Sequence, residues 1–181
     1  MIFVFLEPIN CFNYIIFHKE PTVTKLKAAS ISEIKHELEH ASQKELLDLC
    51  LRVVKYKKEN KELLSYLLFD ASDQAGYIEN VKSEMDDQFA EINHSNLYFV
   101  KKSLRKILKT TNKFIKYTSS KQAEVELLIY FCQKIKLSAI KINKSTALTN
   151  IYNNQIKKIK TVLITLHDDL QHDYNKDIEM L

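Results

Sequence analysis

The sequence predicts an all-α protein of about seven antiparallel helices, and three observations carry that expectation. Among 181 residues there are one glycine, Gly76, and two prolines, Pro8 and Pro21; average usage would supply roughly 13 and 9. From Ser30 onward the apolar residues recur with a period of about 3.6. Each break in that period carries a residue suited to starting a helix. The shortage of glycine also excludes functions. A P-loop needs two glycines and a dinucleotide fingerprint three, so Rossmann, P-loop and kinase-type phosphate sites are ruled out. Sandwiches and barrels need turn residues about every 8–12 positions, and the chain lacks them.

Residues 1–29 read as an extension, poorly ordered or docked on the surface of the folded unit. The opening run MIFVFLEPINCFNYIIF has no preceding positive charge and no small-residue cleavage site, so it is not a secretory signal. It is shorter than the roughly 20 apolar residues a spanning helix needs, and Glu7 and Pro8 interrupt it. A membrane anchor is therefore disfavoured. The composition shift near Pro21 admits a second reading, a true start at about Val23 or Leu26. A single all-α domain is expected over 30–175, with 176–181 as a C-terminal tail.

Ser30-x-x-Glu33 and Ser42-x-x-Glu45 are capping boxes, in which the serine oxygen takes an orphan N–H and the glutamate reaches back to another. The first opens a helix with Ile31, Ile34, Leu38 and Ala41 on one stripe. The second opens a helix expected to bury Leu46, Leu47, Cys50, Val53 and Val54. Asn60 is expected to cap a third helix with Leu63, Leu64, Leu67 and Leu68 inward. Asp73 caps a fourth, carrying Tyr77, Ile78, Val81, Met85, Phe89 and Ile92. The fifth starts near Asn96, with Leu97, Val100, Leu104, Ile107, Thr111 and Phe114 as its seam. Ser119 and Ser120 open the sixth, with Val125, Leu128, Phe131, Cys132 and Ile135 inward.

A polar break from Asn143 to Thr146 precedes a long seventh helix. Its seam of Tyr152, Ile156, Ile159, Leu163, Leu166 and Leu170 is heptad-spaced. Packing inside an antiparallel bundle is its expected use, and a homo-oligomer through residues 152–170 is the alternative. KELLDLCL at Lys44 recurs as KELLSYLL at Lys61, an offset of 17 residues. That is about half the period of a helical-repeat array. A compact bundle and a short HEAT-like right-handed helical stack both fit.

Three cysteines, Cys11, Cys50 and Cys132, stand at wide spacings with no CxxC. Cys50 and Cys132 fall inside apolar helical stripes and read as small buried hydrophobes in a reducing, cytoplasmic setting. His36-Glu37-Leu38-Glu39-His40 matches H-E-x-x-H, the zinc-peptidase spacing that sets two imidazoles on one helical face. Both histidines lie away from the Ile34 and Leu38 stripe, the flanking Lys35 and Glu39 are charged, and no third ligand is identifiable. A solvated surface match is expected, with a metal-dependent hydrolase as the remote alternative. His167-Asp168 and His172-Asp173 resemble helical HD-type phosphohydrolases at the dipeptide level. That pattern needs a further aspartate well downstream, and only eight residues follow Asp173. Carboxylates from Asp70 to Glu91 lack EF-hand spacing. No cofactor and no catalytic residue are implied.

Charge is the informative feature. Net charge is +4, yet residues 92–160 hold 15 Lys/Arg against 2 Asp/Glu, whereas residues 59–91 hold 2 against 9. On the fifth helix Lys101, Lys102, Arg105, Lys106, Lys109, Lys113 and Lys116 lie opposite the apolar seam. Six lysines to one arginine make a diffuse electrostatic surface rather than a set of bidentate forks. The expected function is non-enzymatic: a helical interaction or scaffold module presenting this face to an acidic protein. Sequence-independent nucleic-acid binding through the same face is the alternative. Cover by the acidic segment would remove both.

Overall fold

The structure is a computed structural model that describes residues 27–138 and 140–181. Expectations for residues 1–26 lie outside the described residues. The described residues form eight α-helices and no strand: α1 (Ile31–His40), α2 (Gln43–Tyr56), α3 (Lys58–Ser65), α4 (Gln74–Ala90), α5 (Leu97–Thr118), α6 (Lys121–Leu137), α7 (Thr146–Leu163) and α8 (Asp168–Glu179). A π turn, Tyr66–Asp70, continues α3, and a 3₁₀ turn, Ile142–Lys144, precedes α7. The all-α class is as expected.

The chain divides into two units, one ending at Leu46 and one from Leu47 to Leu181. In the first, the Ser30 hydroxyl accepts the Glu33 N–H at 3.3 Å and the Glu33 carboxylate accepts the Ser30 N–H at 2.7 Å. Ser42 and Glu45 make the same reciprocal pair at 3.3 and 2.8 Å. Both capping boxes therefore form, because they need only residues three apart.

In the second unit α6 packs against α4, α5, α7 and α8. Ala123, Val125, Leu127, Leu128, Phe131, Cys132 and Ile135 are all buried on it. A helix apolar over most of its circumference belongs near the centre, and here the remaining arc carries the half-buried Glu126, Tyr130 and Gln133. The other helices turn a single stripe towards it: Ile78, Val81, Met85 and Phe89 from α4, Val100, Leu104, Ile107, Thr111 and Ile115 from α5. The buried Thr111 hydroxyl donates to the Ile107 carbonyl at 3.0 Å, so its burial leaves no polar atom unpaired. Burial pushes the Cys132 thiol up to about 12, so it stays protonated as a small core residue.

Several expectations need correcting. The expected buried side of α2 is uncovered: no residue of that helix is buried, and Leu47 and Val53 are 59% and 57% exposed. Amphipathicity shows that a face is fit for burial, not that a neighbour exists to bury it. Cys50 shares this exposure. Ile31, Ile34 and Leu38 of α1 are likewise exposed. No residue of α3 is buried; in the π turn that continues it Tyr66 faces inward while Leu67, Leu68 and Phe69 face solvent, because the wider turn shifts the phase of the helix.

Asn60 does not cap α3. Lys57 holds that position, and the Asn60 amide donates to the Val53 carbonyl at 2.9 Å. The long seventh helix is two helices. It stops at Leu163, and His167 caps α8 by accepting the Asp169 N–H. Tyr152, Ile159 and Leu163 are spent in the core, Ile178 and Leu181 pack on that core, and the Tyr152 hydroxyl donates to the Leu181 carbonyl at 2.7 Å. The segment expected as a tail thus holds the last turn of a packed helix.

Asp73 caps α4 through the Gly76 N–H at 2.9 Å, and a Cβ at Gly76 would run into that carboxylate. Gly76→Ala should therefore return its helix-propensity gain of about 1 kcal/mol only in an Asp73→Ala background. Leu104→Ala, at a fully buried site, should cost about 2–5 kcal/mol, and Leu47→Ala less than about 0.5. Urea denaturation of the variants measures both contrasts.

Candidate functional site

The basic face rests on α5, 22 residues long and so about 33 Å from end to end. Asn96 starts it by accepting the Tyr98 N–H at 2.8 Å. Ser119 ends it in the left-handed region at φ 50°, which lets the chain turn into α6 within two residues. With its apolar stripe fixed against α6, the opposite side has no choice but to face outward. Lys102, Arg105, Lys106, Lys109 and Lys116 are exposed, and Lys101 and Lys113 are half-buried.

Of the seven nominated cations, Lys113 alone is ion-paired among the described residues. Its ammonium meets the Glu62 carboxylate at 2.5 Å and lies 4.7 Å from the centre of the Phe114 ring. The Tyr117 hydroxyl donates to the same carboxylate at 3.1 Å. The hydrogen bond from Lys113 is the chief reason the Glu62 carboxyl sits below its ordinary 4.5; burial opposes it and Tyr117 assists. An aromatic series holds α3 in this position: Tyr66 on Tyr77 at 4.5 Å, Tyr77 on Phe114 at 6.3 Å, and Phe114 on Tyr117 at 6.2 Å.

The remaining acids of residues 59–91 are spent elsewhere or face solvent. Asp86 pairs with Lys134 of α6 at 2.9 Å, and Glu79 with Lys82 at 2.7 Å. Lys82 also reaches Glu126 at 2.7 Å, and Lys158 takes Glu124 at 2.8 Å. Among the described residues the acidic segment is ion-paired with the basic face at its Lys113 edge alone. Between α3 and α5 that edge borders a groove of about 740 Å³, lined by Lys106, Lys109, Lys113, Lys116, Thr110, Asn112, Tyr117 and one carboxylate, Glu59.

One residue of this surface was missing from the sequence reading. Tyr98 is 59% exposed and stands seven residues before Arg105, within about 20° of it around the helix. Its ring lies 5.6 Å from the Lys101 ammonium and edge-on to Phe99 at 5.6 Å. The signal was present in the spacing of 98, 102, 105, 109 and 116, which reads as one line once Tyr is admitted to a basic row.

The other candidates are placed as follows. His36 and His40 project from exposed α1 with ring centres 4.6 Å apart, and the His40 Nδ1 contacts the His36 carbonyl at 2.7 Å. No three His, Cys, Asp or Glu side chains gather to hold a metal among the described residues. His167 and Asp168 are exposed at the start of α8, and His172 and Asp173 are exposed on its outer side. No described helix is long and apolar enough to cross a membrane. Compared with protein-family models, curated proteins and solved structures, the chain matches none.

The site can attract anions through five exposed cations that face solvent together, and its Glu62–Lys113 pair fixes one border. Because folding holds the Glu62 carboxyl low, its contribution is fully present above pH 4.5 and is lost as pH falls through the lowered value. Glu62→Gln should therefore be less stable than the parent at pH 7, with the gap closing below about pH 4 in urea titrations.

Proposed function

We propose that this chain is a non-enzymatic helical interaction module, acting in the cytoplasm, that offers the outer face of α5 to an acidic partner. The observation that carries the reading is the lack of internal answer to that face. Lys101, Lys102, Arg105, Lys106, Lys109 and Lys116 have no carboxylate within ion-pair distance among the described residues, although the acidic segment of the same chain packs alongside. A cationic face left unneutralised attracts and orients an anionic surface before contact.

The wild-type protein should be retained on heparin and on immobilised polyglutamate at about 50 mM salt and released by about 200 mM. A variant with Lys102→Glu, Arg105→Glu and Lys109→Glu should flow through while keeping its helical circular dichroism, because all three side chains are exposed. Co-elution of variant and wild type would show that another surface does the binding.

A further inference from the structure

We infer that the anionic ligand of the α5 face is a single-stranded nucleic acid, with Tyr98 as a stacking platform for one base; this rests on the reading of that face as a contact surface. Three features of the face point past charge alone. First, Tyr98, Lys102, Arg105, Lys109 and Lys116 fall within about 60° of one another around the helix and span about 27 Å along it. That is a line, suited to an extended chain of phosphates. Second, the groove of about 740 Å³ beside it has Lys106, Lys109 and Lys116 on its wall, with Lys113 paired to Glu62 and Glu59 at its border, giving the backbone a concave track in which cations outnumber acids. Third, the line begins with an aromatic ring that is 59% exposed, with Phe99 at 44% beside it.

A cationic track headed by an exposed ring is the combination by which proteins hold single strands without reading sequence. Every base has a π-face, and only an unpaired strand offers it to a side chain. A duplex would gain the phosphates and leave Tyr98 idle. Duplex reading also asks for Arg, Asn or Gln at base edges, whereas this row is mostly lysine. An acidic polypeptide would use the cations, but a stacking surface has little to offer a carboxylate.

The chain contains no tryptophan, so Tyr98→Trp installs a single tryptophan on the proposed platform, excited selectively beyond the tyrosine absorption band. The full-length protein is titrated with labelled 15-mers of oligo-dT and oligo-U, a DNA duplex of equal length, and polyglutamate. Both single strands should bind more tightly than the duplex, with log K falling about 0.7 per contacted phosphate against log salt, or a slope near −3 for four contacts. A preference between the two oligomers assigns DNA or RNA. Tyr98→Ala should weaken single-strand binding about 5- to 100-fold with the slope unchanged. Arg105→Glu with Lys109→Glu should weaken it and flatten the slope, and Tyr98→Trp emission should be quenched by oligomers but not by polyglutamate. Equal affinity for strand and duplex with no effect of Tyr98→Ala overturns the inference and leaves the basic-face reading standing. Binding to polyglutamate alone assigns an acidic polypeptide instead. Failure to bind any polyanion at low salt overturns both.

Discussion

The broad apolar surface of α6 is the constraint from which the rest of the larger unit follows. A helix carrying Val125, Leu127, Leu128, Phe131, Cys132 and Ile135 around most of its circumference must be screened from water over that surface, and four helices supply the screen. Each helix that covers it can commit only one stripe, at roughly 25 cal/mol per Å² of apolar surface buried. For α5 the committed stripe runs through Val100, Leu104, Ile107 and Thr111. Its lysines therefore project outward as a result of core packing.

The distribution of ion pairs reinforces that outcome. Partly buried pairs cluster where polar groups meet the core: Glu124 with Lys158, Glu126 with Lys82, Asp86 with Lys134 and Tyr130. At Asp86 burial pushes the carboxyl up, yet hydrogen bonds from Lys134 and Tyr130 outweigh it and the net direction is down. These acids are held by groups that desolvation would otherwise leave unpaired. None is spare for the solvent side of α5. The molecule is nearly balanced in total charge and strongly polarised in space.

Much of this was legible from local rules. The capping boxes at Ser30 and Ser42, the Asp73 cap and the Asn96 start depend on residues two or three apart, and each forms. The stripes of α4 and α5 and most of α6 were readable because their neighbours exist. Where sequence reasoning failed, the missing information was tertiary. Nothing in Leu46, Leu47, Cys50, Val53 and Val54 says whether a partner helix will arrive. The π turn at Tyr66 inserts a phase shift that a fixed 3.6 period cannot anticipate. The break after Leu163 lacks glycine and proline and is marked only by His167 acting as a cap. For the site, the cationic row was visible from charge, whereas its uncovered state depends on pairs such as Glu62 with Lys113, 51 residues apart.

The bare apolar side of α2 has a consequence for how the protein opens. Among the described residues none of its 14 is buried, and a helix of that length is marginal in water on its own, so its amides rest chiefly on local hydrogen bonds. Under native conditions they should exchange with deuterium through small fluctuations, while amides of α6 wait for the whole bundle to come apart. The described residues thus carry a gradient of protection, and a protease would open α2 more readily than α6.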